Sequence, residues 1–146
     1  MRPRVSLITL GVRSLKRARR FYERGLGWKP SRLSSDSIVF YQLDGGMVFS
    51  LYGMEELATD ANQDPAGRPA DSFSGVALAH NVGDPAEVDR LLNRVLRHGA
   101  TVTRPARKTS WGGYAGYFAD PDGHVWEVAW NPHFPLDDAG GMQLPS

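Results

Sequence analysis

Cysteine is missing from all 146 residues. That single absence excludes disulfides, thiolate metal sites and a cysteine nucleophile, leaving His, Asp, Glu, Ser and Tyr to carry any chemistry. A charge excess is missing too: 17 Lys+Arg stand against 16 Asp+Glu, a net +1. No global field therefore draws the chain to nucleic acid or to an anionic membrane. No apolar run approaches the roughly 20 residues a membrane span needs. These absences predict a cytoplasmic protein with neither a nucleic-acid nor a membrane partner. The length suits one compact domain, 1–146, able to build a core without staples.

What is present reads as a pattern given twice. Val5 to Val12 is β-branched and apolar, and Ser14 stands where a helix N-cap belongs, before Leu15, Ala18, Phe21, Tyr22 and Leu26 at helical spacing. The basic residues Lys16, Arg17, Arg19, Arg20 and Arg24 read as a solvated helix face, since no aromatic platform is interleaved with them. Ser37 to Leu43, Asp44-Gly45-Gly46 and Met47 to Tyr52 predict a β-hairpin. Residues 54 to 71, with Pro65, Gly67 and Pro69, read as a connector. The pattern then restarts. Gly75 to Val82 predicts a strand, and Asp84-Pro85 opens a helix with Val88, Leu91, Leu92, Val95 and Leu96 on one face. Thr101 to Thr103 predicts a short strand, and Gly113 to Ala119 and His124 to Trp130 flank an Asp120-Pro121-Asp122-Gly123 turn. A tail follows from Asn131.

Laying Val12 on Val82 and Gly46 on Gly123 aligns the halves, so the expected class is α+β: two βαβββ modules forming a cup-shaped mixed sheet. Module one spans about 4–53, the linker 54–71, module two about 72–132 and the tail 133–146. This order, with Phe21-Tyr22 near the first helix end and Asp120-Pro121-Asp122-Gly123 leading to Trp126-Glu127, resembles the vicinal oxygen chelate superfamily of glyoxalases, bleomycin resistance proteins and dioxygenases. The resemblance covers roughly residues 4 to 132. It implies a cup in which metal-dependent members place four ligands, one on the first and one on the last strand of each half. In this sequence those positions fall on Leu7, Ala77, Ser50 and Glu127, and only Glu127 matches. Strand alternation turns His80 and His124 away from the cup. No metal and no cofactor is therefore expected.

The same alternation gives Val5, Leu7 and Thr9 the inner face with Gly75, Ala77 and Ala79, and pairs Val48, Ser50 and Tyr52 with Val125, Glu127 and Ala129. Around that space the chain is expected to gather Trp111, Tyr114, Phe40, Tyr52 and Trp28, with Ser50 and Thr9 as polar points, as ligand-binding residues. Trp126 and Trp130 have the opposite parity and should pack on helices. Glu127, the candidate catalytic residue, should be hydrogen-bonded by Ser50, Thr9 or a tyrosine hydroxyl. The expected function is a binding protein that sequesters a planar or aromatic metabolite or antibiotic. The alternative is a glyoxalase-like lyase or isomerase with Glu127 as metal ligand or general base. The resemblance and the frequency of two-fold assembly imply a homodimer.

Overall fold

The computed structural model describes residues 1–65 and 72–144. Gly67 and Pro69 of the expected connector, and Pro145 of the tail, lie outside the described residues. The chain divides into two compact units, Met1–Ser74 and Gly75–Ser146, each holding one mixed sheet, and the class is α+β.

In the first unit β1 (Leu7–Val12) pairs in parallel with β3 (Val48–Gly53), which pairs antiparallel with β2 (Ile38–Gln42). The Ser14 hydroxyl accepts from the Arg17 N–H at 3.3 Å and starts α1 (Leu15–Arg19), which widens into a π-helical turn, Arg20–Gly25. Ala18, Phe21 and Tyr22 are buried there, as are Val39, Tyr41, Phe49 and Leu51 from alternate sheet positions. Tyr22, Trp28, Tyr41 and Phe49 form one ring cluster, with Tyr22 and Phe49 centroids 5.1 Å apart and Trp28 and Phe49 5.2 Å apart. Fully burying such a side chain stabilises by about 1.5–3 kcal/mol, so this layer anchors the first unit.

In the second unit the order is β4 (Ala77–Asn81), β7 (Val125–Trp130), β6 (Tyr114–Ala119), β5 (Thr101–Lys108), with β4 parallel to β7 and the rest antiparallel. Asp84 Oδ1 accepts from the Glu87 N–H at 2.8 Å and Pro85 opens α3 (Pro85–Leu96). Val88, Leu92 and Val95 of α3, together with Phe118, Trp126 and Val128 of the sheet, are buried, and the Phe118 and Trp126 rings stack. Gly116 on β6 (Tyr114–Ala119) sits on this side, where a Cβ would lie 2.5 Å from Leu92 Cδ1 and 2.9 Å from the Ala106 nitrogen. The 120–123 turn is built by Asp120, whose Oδ1 accepts from the Asp122 and His124 N–H groups, both at 2.9 Å.

Three local expectations change. The first module has three strands, and its fourth is reduced to a single bridge, Pro30 to Tyr41; proline has no N–H with which to extend a ladder. Met54–Asp60 is a helix, α2, rather than connector. Glu55 and Glu56 complement its N-terminal dipole, and Met54 and Leu57 cover Gly11 of β1. Finally β5 runs Thr101–Lys108, well past Thr103. Pro105 is tolerated because β5 is an edge strand, and the register shifts between Val102 and Arg104 and again between Arg104 and Arg107.

Candidate functional site

Each sheet has one face under α1 or α3, and on the opposite face of the first sheet α2 covers only the Gly11 and Tyr52 end; alternation decides which residues reach this second face. In the second unit Glu127 is flanked by Ala79 on β4 and Tyr117 on β6, its register partners. The Tyr117 phenol donates to Glu127 Oε1 at 2.7 Å. Tyr117 is in turn the register partner of Arg104 on β5, and the Arg104 guanidinium lies over its ring, Cζ 4.6 Å from the centroid. Three adjacent strands thus present a row: carboxylate, phenol, guanidinium. The hydrogen bond to Glu127 raises the Tyr117 pKa first of all, burial and the Glu127 charge add to it, and Arg104 opposes. The phenol therefore stays protonated at neutral pH and remains a donor. Arg104 Nε is buried and has no hydrogen-bond partner among the described residues.

The first unit holds the neutral version of this row. Ser50 occupies the place of Glu127, and Phe40 that of Tyr117. Ser50, fully buried, donates its hydroxyl to Thr9 Oγ1 at 2.7 Å. Beside them Leu7, Ser31, Leu33, Phe40, Gln42 and Val48 line a cavity of about 300 Å³. Thr9 and Ser50 satisfy each other, so this wall is apolar where the second unit's is ionic.

Sequence reasoning placed Phe40, Ser50, Thr9 and Glu127 on strand positions that all have this parity. Tyr52 shares it, but its phenol is drawn to α2, its pKa raised by burial and then by a hydrogen bond to Asp60. Three aromatics depart from expectation. Tyr114 pairs with Trp130 and so lies on the helix face, where its hydroxyl donates to Asp89 Oδ1 of α3 at 3.1 Å. Trp28 belongs to the ring cluster under α1, since it follows the helix end and closes that face. Trp111 sits in the β5–β6 connection, 41% exposed, with its ring laid over Gly113 so closely that a Cβ there would overlap it.

Two residues were missed. Counting symmetrically back from the 120–123 turn places Tyr117 opposite Glu127, so that pair was open to sequence reasoning. Arg104 was not, because from Val102, the partner of Phe118 on the helix face, simple alternation would put it on that same face. The register shift between them turns it over.

A family model for the Glyoxalase/Bleomycin resistance protein/Dioxygenase superfamily matches residues 4–128. The chain belongs to this superfamily. A glyoxalase-related enzyme from Fulvimarina pelagi is 37% identical over 99% of both chains, with a TM-score of 0.87. A superfamily enzyme from Burkholderia phytofirmans PsJN is 17% identical over 86% of this chain and 96% of its own, TM-score 0.74. A lactoylglutathione lyase from Agrobacterium tumefaciens is 24% identical over 88% and 93%, TM-score 0.65; these two show the shared fold. No curated protein matches.

The superfamily implies a divalent metal, and the donor set here does not fit one. Leu7 and Ala77 carry no donor atom, Ser50 is neutral and engaged with Thr9, and Oε1 of Glu127 is engaged by Tyr117. Among the described residues no group of three or more His, Cys, Asp or Glu could hold an ion. His80 has the parity of its fully buried partner Val128, on the helix side. The His124 N–H is part of the Asp120 turn.

Proposed function

We propose that this superfamily member binds a planar or aromatic small molecule on the sheet faces opposite α1 and α3, without a divalent metal. The observation that carries the reading is the Tyr117–Glu127 pair set beside Ala79; among the described residues no group of three or more His, Cys, Asp or Glu could hold an ion. A methyl neighbour leaves room for a flat ligand against the sheet, and the pair offers one directional polar contact, the composition usual in small-molecule sites. Titration of the four-tryptophan chain with a panel of aromatic amides, phenols and acids, followed by fluorescence and calorimetry, tests it. Saturable one-to-one binding that survives chelator treatment is expected. Stoichiometric tightly held metal, or no binding across the panel, would overturn it.

The second reading is a lyase or isomerase in which Glu127 takes a proton from carbon beside a substrate carbonyl. The 37% identical glyoxalase-related enzyme favours it, as does a carboxylate with one oxygen tied to a phenol and the other left to act as base. Glu127→Gln separates the two: affinity retained while turnover vanishes identifies the enzyme. A homodimer and a cytoplasmic location belong to the same proposal. β1 and β4 each stand at the end of their sheet, a position suited to further strand pairing, and sedimentation showing only monomer at micromolar concentration rejects the dimer. Among the described residues no helix is long and apolar enough to cross a membrane.

A further inference from the structure

Arg104 differs from Arg19 and Arg90. Arg19 binds Glu23 at 2.7 Å and Arg90 approaches Asp84 at 3.7 Å. Arg104 instead lies on an aromatic ring, half-buried, with a buried Nε that has no acceptor among the described residues. A buried N–H without a partner is costly, and such groups in native structures call for a reason. The nearest acidic group in the row, Glu127, is bound by Tyr117 rather than by the guanidinium.

The backbone is bent to produce this. Val102 pairs with Phe118 on the helix face, and the next paired position is Arg104 with Tyr117, one residue out of step. A second shift pairs Arg107 with Ala115, which shares the parity of Tyr117. Each irregularity brings an arginine position to the helix-free face of an edge strand. Bulges re-aim side chains in this way beside functional sites. Without them, alternation would leave Arg104 on the side of Val102.

We propose that Arg104 is a specificity-determining residue: it binds the carboxylate of an anionic aromatic ligand whose ring lies along the sheet toward Tyr117 and Glu127. This rests on the ligand-binding reading above and names the class of ligand. The Tyr117 ring fixes the plane of the guanidinium, so its terminal N–H groups are oriented before the ligand arrives and little freedom is lost on pairing with a planar carboxylate. Arg107 adds positive charge at the same edge. Glu127 at the far end of the row disfavours a second anionic group there, which selects a ligand charged at one end only.

The test uses a matched pair of probes, 2-naphthoate and the neutral 2-naphthamide, titrated into the full chain and into Arg104→Gln and Arg104→Lys, with circular dichroism to verify folding. Naphthoate should bind about tenfold tighter than the amide to the unaltered chain. In Arg104→Gln the two should bind within about twofold of each other, and Arg104→Lys should fall between. Equal affinities on the unaltered chain, or a naphthoate preference that survives Arg104→Gln, overturn the role of Arg104 while leaving the aromatic-binding reading standing. If neither probe binds, that reading fails for this ligand class, and Arg104 is judged by acetate alone. A saturable shift of the Arg104 Nε–H resonance, absent in Arg104→Gln, supports the anion site, and an unmoved resonance overturns it.

Discussion

Tyr117→Phe removes one oxygen and keeps the ring beneath Arg104, so it isolates the hydrogen bond to Glu127. A bond to a charged group contributes about 1.5–3 kcal/mol net. Glu127 is half-buried and water recovers part of the loss, so the lower end, about 1.5 kcal/mol, is expected. Glu127→Gln keeps an acceptor but removes its charge, and neutral bonds are roughly half as strong, so Tyr117→Phe in the Glu127→Gln background should cost only about 0.7 kcal/mol. Urea unfolding of the four proteins at neutral pH measures the difference as an interaction energy of roughly 0.8 kcal/mol. The tyrosinate absorbance adds a second readout. Because Glu127 is the largest cause of the raised Tyr117 pKa, Glu127→Gln should bring that phenol back toward 10.0. The sign follows from linkage: the folded state holds this proton more tightly, so its stabilisation is complete below the unfolded pKa and fades as pH rises through the folded one. An interaction energy indistinguishable from zero, together with an unmoved phenol titration, would refute the pairing.

Gly116→Ala must push against Leu92 and the Ala106 backbone; a loss of about 2 kcal/mol is expected from overpacking, seen as a lower urea midpoint, and an unchanged midpoint would contradict the packing of α3 on β6. Trp28→Ala should cost about 3 kcal/mol yet leave small-molecule affinity intact, since Trp28 packs with Tyr22, Tyr41 and Phe49; lost affinity in a folded variant would return Trp28 to the site. Desolvation lowers the His80 pKa below 6.5, partly offset by Glu87. The unfolded chain then takes the proton first, stability falls as pH drops below the unfolded value, and His80→Gln should flatten that slope between about pH 7 and 5. Dialysis against a chelator should leave the melting temperature unchanged, and a clear drop that zinc or manganese restores would reveal ligands the donor set does not explain.

The pieces governed by neighbours in the chain could be read directly. Ser14 and Asp84 cap their helices through a hydrogen bond to a residue three positions on, and Asp120 folds its turn with its own side chain. Strict alternation put Glu127 and Ser50 on one kind of face and Trp126 on the other, and the repeat laid Val48, Ser50 and Tyr52 on Val125, Glu127 and Ala129, which occupy equivalent places beside β1 and β4. These are local periodicities, and each half carries them independently.

Whatever depends on a break in periodicity was decided by the fold. Tyr114, Trp28 and Trp111 look alike as aromatic candidates, yet one is bonded to α3, one is locked in a ring cluster and one lies over a glycine. Residue type predicts that such rings gather, but not on which side of a sheet. Arg104 is the clearest case. Its face depends on a register shift in an edge strand, where Pro105 cannot donate to the ladder and the hydrogen bonds to β6 must re-pair around it. The sequence alone therefore determined a tandem α+β superfamily architecture in which Glu127 is the one match among the four ligand positions the resemblance implies. Only the tertiary structure placed a guanidinium in line with that carboxylate and its phenol, because the shifted register of β5 is settled by pairing across the sheet and not along the chain.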